Sequence, residues 1–380
     1  MAGVIEAVMG RMLSEQAQIA VGTAAMRIVG ARRLLGRDVA AAVLSLTGEP
    51  DDLDAVLSRT HDFRSWIAAW RDVSGVHSEA AAGAPQRSRE RVRRLRLATL
   101  ALAFANQAHT IEDLFVEVSR ELESTHSGIH ALVDPPYEAV KVGAVEPRAP
   151  ALLRVPHAND PVPVVVILQG LERSKEQAFP LEDALVARGF AVLTVDQPGV
   201  GAALAGGATI GDAAVLDGFG VDLEAFIASD ARLDARRMYL FGFSLGGAMA
   251  LALAERVAAA GVVTLGAPLR IDPAELSLTA RRRARFAAGV RSDAELVALL
   301  DTVDLSERVS RTSAPLLVLH GARDPVVDPR QAQGIRGVAG GPVDVRVFPV
   351  GDHSCTQYAS AVWALTADRI AIWDQRAPQG

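Results

Sequence analysis

The stretch Tyr239-Leu240-Phe241-Gly242-Phe243-Ser244-Leu245-Gly246-Gly247 constrains this chain more than any other. An apolar run enters a small-x-Ser-x-small-small turn and leaves through Ala248-Met249-Ala250-Leu251-Ala252-Leu253-Ala254-Glu255, a helix-forming sequence. The pattern predicts a strand, a turn too tight for side chains on its flanks, and a helix. Gly242 and Gly246 would relieve the crowding, leaving the Ser244 hydroxyl exposed above the helix N-terminus. Unpaired N–H groups and partial positive charge at that end suit a developing oxyanion. Glycine and serine are common turn residues, so the pattern needs partners before it implies chemistry.

Two partners follow in order. Pro315-Leu316-Leu317-Val318-Leu319-His320 reads as a buried strand running into Gly321-Ala322-Arg323-Asp324-Pro325. Val343-Asp344-Val345-Arg346-Val347-Phe348 reads as another, running into Pro349-Val350-Gly351-Asp352-His353. Nucleophile, acid and base in the order Ser244, Asp324, His353, each past a strand's C-terminal end, match the α/β-hydrolase arrangement. Asp328 is the alternative acid, and Asp324 the alternative helix cap. His320 reads as a packed or hydrogen-bonded strand-end residue. The other histidines have no ligand spacing, so neither a metal nor a cofactor is expected.

Upstream, Val162-Pro163-Val164-Val165-Val166-Ile167-Leu168 is apolar on both faces, as a central parallel strand must be. The loop after it, Gln169-Gly170-Leu171-Glu172-Arg173-Ser174-Lys175-Glu176, is expected to supply the backbone N–H of Leu171 to an oxyanion hole, with Leu245 supplying the second. Its charges read as a solvated helix start. Phe190 to Asp196 is a further strand, closed by Gln197-Pro198-Gly199-Val200-Gly201.

These segments, together with Gly351-Asp-His-Ser-Cys, resemble one hydrolase family over roughly residues 60 to 375. It contains 2,6-dihydroxypseudooxynicotine hydrolase, fermentation-respiration switch esterase-like proteins and fungal polyketide-shortening hydrolases. The resemblance implies a serine hydrolase cleaving a carbon–carbon bond next to a ketone, or an ester, in a small organic or polyketide-like substrate. An acyltransferase, cyclase or thioesterase would use the same groups, and a non-catalytic ligand-binding protein is the remote alternative. The resemblance also points to Glu275, in Ile271-Asp272-Pro273-Ala274-Glu275, as an acid that handles protons during ketone departure. The first turn of a helix is the other reading of that glutamate. Ala202 and Ser354 replace an acid and a cysteine of the nicotine-degrading member, which leaves the substrate open.

The expected architecture is an α/β-hydrolase fold, a mostly parallel doubly wound sheet at 146–380, with a helical lid insertion at about 271–312. A helical N-terminal cap domain at 1–145 precedes it. Helical spacing covers Met1 to about Leu46, Asp62 to about Val73 (Trp66 and Trp70 facing a core or a partner) and Ser88 to about Glu123. A small-residue break falls at Ala80 to Pro85, and a boundary with a Thr110 cap near His109. Cap and lid are expected to cover the Ser244 pocket. The family resemblance and the tryptophan-bearing helices suggest a homodimer through the N-terminal domain. Net charge is −6, and the Arg87 to Arg96 stretch lacks stacking aromatics, so no nucleic-acid partner is expected. The arginines Arg281 to Arg285 read equally as an exposed lid face or as a group that attracts an acidic substrate. Cys355 is the single cysteine and is expected to pack under its loop. With no basic leader and no long apolar span, a cytoplasmic protein without membrane contact is expected.

Overall fold

The computed structural model describes residues 49–107, 112–211, 213–276 and 278–376, with isolated positions between 20 and 31. Most of the helix expected before Leu46, the His109 boundary and the Thr110 cap lie outside the described residues. The chain forms two compact units. One gathers the helices up to Leu132 with Pro273–Ala284, and the other holds Val133–Asp272 with Arg285–Gly380.

The second unit is built on one eight-stranded sheet. Its strands are β1 (Glu138–Val142), β2 (Ala149–Arg154), β3 (Val162–Leu168), β4 (Ala191–Val195), β5 (Leu233–Phe243), β6 (Gly261–Leu265), β7 (Leu316–Gly321) and β8 (Val343–Phe348). They lie in the order β1-β2-β4-β3-β5-β6-β7-β8. β1 and β2 are antiparallel, β2 also runs antiparallel to β4, and every other pair is parallel. β1 pairs with β2 along its whole length, so the sheet begins at Glu138.

Every residue of β3, β4, β6 and β7 is buried. Their side chains alternate between two cores, as a pleated strand covered on both faces requires. Val164, Val166 and Leu168 join Leu223, Ile227, Leu251 and Leu253 on one face. Val165 and Ile167 join Leu181, Leu185, Val362 and Ile370 on the other. The order reverses between β3 and β5, where loops diverge to opposite faces and leave a crevice beyond the carboxyl ends. Leu168 pairs with Gly242, so the loop after β3 and the turn after β5 start at the same level.

In the helical unit, Phe63–Gly83 starts on a capping box between Asp62 and Ser65 and runs through the alanines at 80–82. Alanine is the best helix former, so the expected break moves to the approach of Pro85. Trp66 and Trp70 are 8% and 0% exposed. They pack edge-to-face at 5.7 Å, Trp70 lies 5.0 Å from Phe104, and Trp66 Nε1 donates to the Phe104 carbonyl at 2.9 Å. They belong to this unit's own core, which removes the aromatic surface invoked for a dimer. Arg89–Asn106 begins at Ser88, whose hydroxyl accepts from the Arg91 N–H. The segment after Asp272 holds the helices Leu278–Ala288, Asp293–Leu300 and Ser306–Arg311. Its arginines are not the exposed face that their clustering suggests. Arg283 is 1% exposed with its guanidinium 4.0 Å above the Phe115 ring, and Arg285 pairs with Asp293 at 3.3 Å. Among the described residues, no helix is long and apolar enough to cross a membrane.

Candidate active site

Ser244 occupies a conformation that L-residues avoid, φ 52° and ψ −118°. Such strain persists only where the surroundings over-determine it. The Ser244 N–H donates to the Leu265 carbonyl at 2.9 Å, and its own carbonyl accepts from Ala248 at 3.1 Å, the first turn of the helix Leu245–Leu253. Neighbouring side chains have no room. A Cβ on Gly242 would stand 2.2 Å from the Gly246 carbonyl oxygen, and one on Gly246 would stand 2.2 Å from that of Leu168. The sequence pattern therefore reflects close approach between β3, β5 and the helix. Leu245 is the first helical residue, and its N–H has no intrahelical acceptor. Leu171 lies in the turn after β3.

The loops after β7 and β8 bring Asp324 and His353 to this serine. His353 Nδ1 lies 2.7 Å from Asp324 Oδ2, and its Nε2 lies 2.9 Å from Ser244 Oγ. A carboxylate only accepts, so Nδ1 carries the proton and Nε2 is left to receive one from the serine. Asp324 Oδ1 accepts from the N–H groups of Val326 and Val327 at 2.8 and 2.9 Å. Burial alone would raise the Asp324 carboxyl. Hydrogen bonds from His320 and His353, the charge of His353 and the Val327 N–H outweigh burial and hold it well below the usual carboxylate range. Asp324 therefore stays ionised beside His353 throughout the neutral range.

Other groups near the relay, or singled out in the sequence, separate cleanly. Asp328 accepts from the Arg330 backbone and side chain, a local turn away from His353. Asp352 Oδ1 accepts from the Ser354 and Thr356 N–H groups at 3.1 and 2.8 Å. Cys355 is fully buried, and burial with the nearby charges of Asp352 and Asp324 pushes its thiol up to about 12. Glu275 ends the short 3₁₀ turn Pro273–Glu275, within the helical unit; its side chain lies outside the described residues. Among the described residues, no group of three or more His, Cys, Asp or Glu side chains could hold a metal.

Of three further residues near the site, His320 is the packed, hydrogen-bonded strand-end residue expected, while Lys175 and Arg173 do not behave as their sequence suggests. His320 is buried, with Nε2 3.0 Å from the Val327 carbonyl and 3.2 Å from Asp324 Oδ2. Both are acceptors, so Nε2 holds the proton and braces the acid from behind. Lys175 is 4% exposed rather than solvated, and its ammonium meets Glu176 at 2.7 Å and Asp196 at 3.1 Å. Arg173 stacks over Phe243 with its guanidinium carbon 4.2 Å from the ring centre. A charged run of this kind normally faces water. Here the ends of β4 and β5, on either side of β3, bring Asp196 to Lys175 and Phe243 to Arg173.

Comparison with known proteins agrees with this architecture. A family model described as serine aminopeptidase, S33 matches residues 159–296, which include Ser244 but end before Asp324 and His353. 2,6-Dihydropseudooxynicotine hydrolase of Paenarthrobacter nicotinovorans is 29% identical over 232 residues. That alignment spans 59% of this chain and 61% of the relative. The crystal structure of 2,6-dihydroxy-pseudo-oxynicotine hydrolase superposes with TM-score 0.75 at 20% identity, covering 87% of this chain and 94% of that one. The structure of AbyA5 gives 0.75 at 20%, covering 90% and 96%. Fold and sequence identify the chain as an α/β-hydrolase-fold protein similar to 2,6-dihydropseudooxynicotine hydrolase.

Proposed function

We propose that this chain is a serine hydrolase that cuts a carbon–carbon bond beside a ketone in a small 1,3-dicarbonyl-like substrate, or an ester of similar size. The observation that carries the reading is the relay of 2.9 and 2.7 Å through His353 at a conformationally strained serine. His353 Nε2 takes the proton of Ser244 Oγ as the oxygen attacks the carbonyl, and Asp324 orients and stabilises the imidazolium. The N–H groups of Leu171 and Leu245 hold the oxyanion. Collapse expels a stabilised carbanion, or an alkoxide in the ester case, which takes the proton from His353. Water, deprotonated by His353, then releases the acid. The carbon–carbon arm rests on the similarity to 2,6-dihydropseudooxynicotine hydrolase. An acyltransferase, cyclase or thioesterase would replace the water or the leaving group while keeping the same relay.

The resemblance points to Glu275 as a carboxylate that orients this proton transfer during ketone departure, and residues 1–145 and about 271–312 are read as the substrate-selecting cap and lid. A homodimer through the N-terminal helices now rests on the resemblance alone, since Trp66 and Trp70 are buried within their own unit. With a single cysteine nothing suggests an oxidising compartment, and the reading places the protein in the cytoplasm. The test is turnover of an aryl ester panel and a 1,3-diketone panel by wild type, Ser244→Ala and Glu275→Gln. Ser244→Ala should lose roughly 10³-fold or more on both panels; retained turnover sinks the mechanism. A Glu275→Gln loss confined to the diketones supports the proton role, and unchanged rates on both panels remove it.

A further inference from the structure

Arg173 is tied to both halves of the relay. Its guanidinium lies against the Phe243 ring, and that ring lies 5.2 Å, centre to centre, from the imidazole of His353. Nη2 donates to the hydroxyl of Ser354, the residue after His353, at 3.4 Å. The backbone N–H of Arg173 bonds to the Gly170 carbonyl at 3.1 Å, closing the turn that contains Leu171. One cation is thus held between the loop after β3 and the base-bearing loop after β8.

Its charge balance differs from that of several other arginines with limited exposure, which meet carboxylates: Arg154 meets Asp183 at 2.7 Å, Arg308 meets Asp217 at 2.7 Å, and Arg237 meets Asp374. Among the described residues, Arg173 has no carboxylate at ion-pairing distance. Asp352, the acid whose charge it feels, gives Oδ1 to two backbone N–H groups instead. Burial pushes the guanidinium down to about 10 against the pull of Asp352, which leaves it charged at neutral pH. A guanidinium presents five N–H donors in a planar fork, and one long hydrogen bond engages a single arm. Keeping a partly buried cation without a counter-charge in contact is costly unless something else supplies the anion.

We propose that Arg173 is an anion subsite for the substrate. The hydrolase acts on anionic molecules, either with a carboxylate a few atoms from the scissile carbonyl or as the enolate of a 1,3-dicarbonyl, which regains a proton at its central carbon before Ser244 attacks. Both present two oxygens that match the guanidinium fork. The proposal rests on the reading of Ser244 as nucleophile and narrows it to anionic substrates.

The experiment compares mono-4-nitrophenyl glutarate (carboxylate arm) and 1-phenylbutane-1,3-dione (enolate arm) with neutral 4-nitrophenyl butyrate. It uses wild type, Arg173→Met and Arg173→Lys, with circular dichroism as the folding control. The readout is the ratio of kcat/KM for the charged substrate to that for the neutral ester. In Arg173→Met this ratio falls about 10- to 100-fold in at least one arm, as loss of a charge-assisted hydrogen-bond pair requires. The fall appears mainly in KM, Arg173→Lys recovers part of it, and the arm affected identifies the source of the anion. A ratio within about twofold of wild type in both arms, for both variants, overturns the proposal. Calorimetric binding of the glutarate half-ester to Ser244→Ala, with and without Arg173→Met, separates this from the nucleophile reading. Arg173-dependent binding in a protein that never turns over ester or diketone would leave the subsite standing and the mechanism fallen. Turnover without charge preference would do the reverse.

Discussion

Replacing Lys175 with Met removes one ammonium that serves two buried carboxylates behind the loop bearing Leu171 and Arg173. Lys175, Glu176 and Asp196 are 4%, 2% and 0% exposed. Asp196 also accepts from the backbone N–H groups of Lys175 and Ala202 at 2.7 and 2.8 Å, which ties this loop to the turn after β4. Met fills much of the space of the lysine stem but leaves both acids without that counter-charge. Breaking a buried pair in this way costs about 3–5 kcal/mol. In a unit of this size each kcal/mol moves Tm by roughly 2–4 °C, so a fall of about 6–20 °C is expected at neutral pH. The pH dependence has a definite sign. Burial raises the Asp196 carboxyl to about 7, Lys175 opposing the rise and Glu176 reinforcing it. An acid whose folded pKa lies above its unfolded value near 4 favours the fold while it is protonated. Its contribution declines as pH rises from about 4 towards 7. Removing Lys175 pushes the folded value higher still, so the gap from wild type should be small near pH 5 and widen through about pH 8. Thermal melts followed by circular dichroism across that range provide the assay, with Lys175→Met/Asp196→Asn as the second corner of a cycle. The double variant removes two opposite charges together and should recover much of the loss. A wild-type Tm for Lys175→Met near pH 8, or no recovery in the double variant, refutes the strut.

Two further substitutions probe the relay and the turn. In Asp324→Asn, an amide N–H facing His353 favours the tautomer with its proton on Nε2, which cannot accept from Ser244. We expect kcat for an aryl ester to drop about 10⁴-fold with little change in KM; a loss below tenfold would contradict the assigned tautomer. The depressed Asp324 carboxyl stabilises the fold above its unfolded pKa and loses that contribution as pH falls through the folded value. The Asn variant should therefore show a flatter acid limb in Tm against pH. Gly246→Ala places a methyl 2.2 Å from the Leu168 carbonyl oxygen, forcing strand and helix apart. A displacement of about 1 Å at a reacting group costs on the order of 100-fold in rate, so kcat should fall by that order. Wild-type kcat in this variant would show that the turn tolerates what its packing forbids.

Much of this molecule follows from local sequence. β3, β6 and β8 begin and end where their apolar or alternating runs meet Pro, Gly and Asp. Ser244, Asp324 and His353 were each legible from a strand-end position, because period, turn chemistry and chain order are all local signals. Tertiary structure alone decided the fate of the charges. Arg173 and Lys175 have the local pattern of a solvated helix start, and nothing within several residues marks them otherwise. Phe243, on β5, stacks on Arg173, while Asp196, past β4, receives Lys175. Arg283 likewise reads as a lid surface until Phe115 covers it. Burial of a side chain depends on which distant segment the sheet order places above it, and that partner lies tens of residues away. The sequence by itself determined the strands, the strained serine and the order of its partners. The fold decided which cations stand beside them.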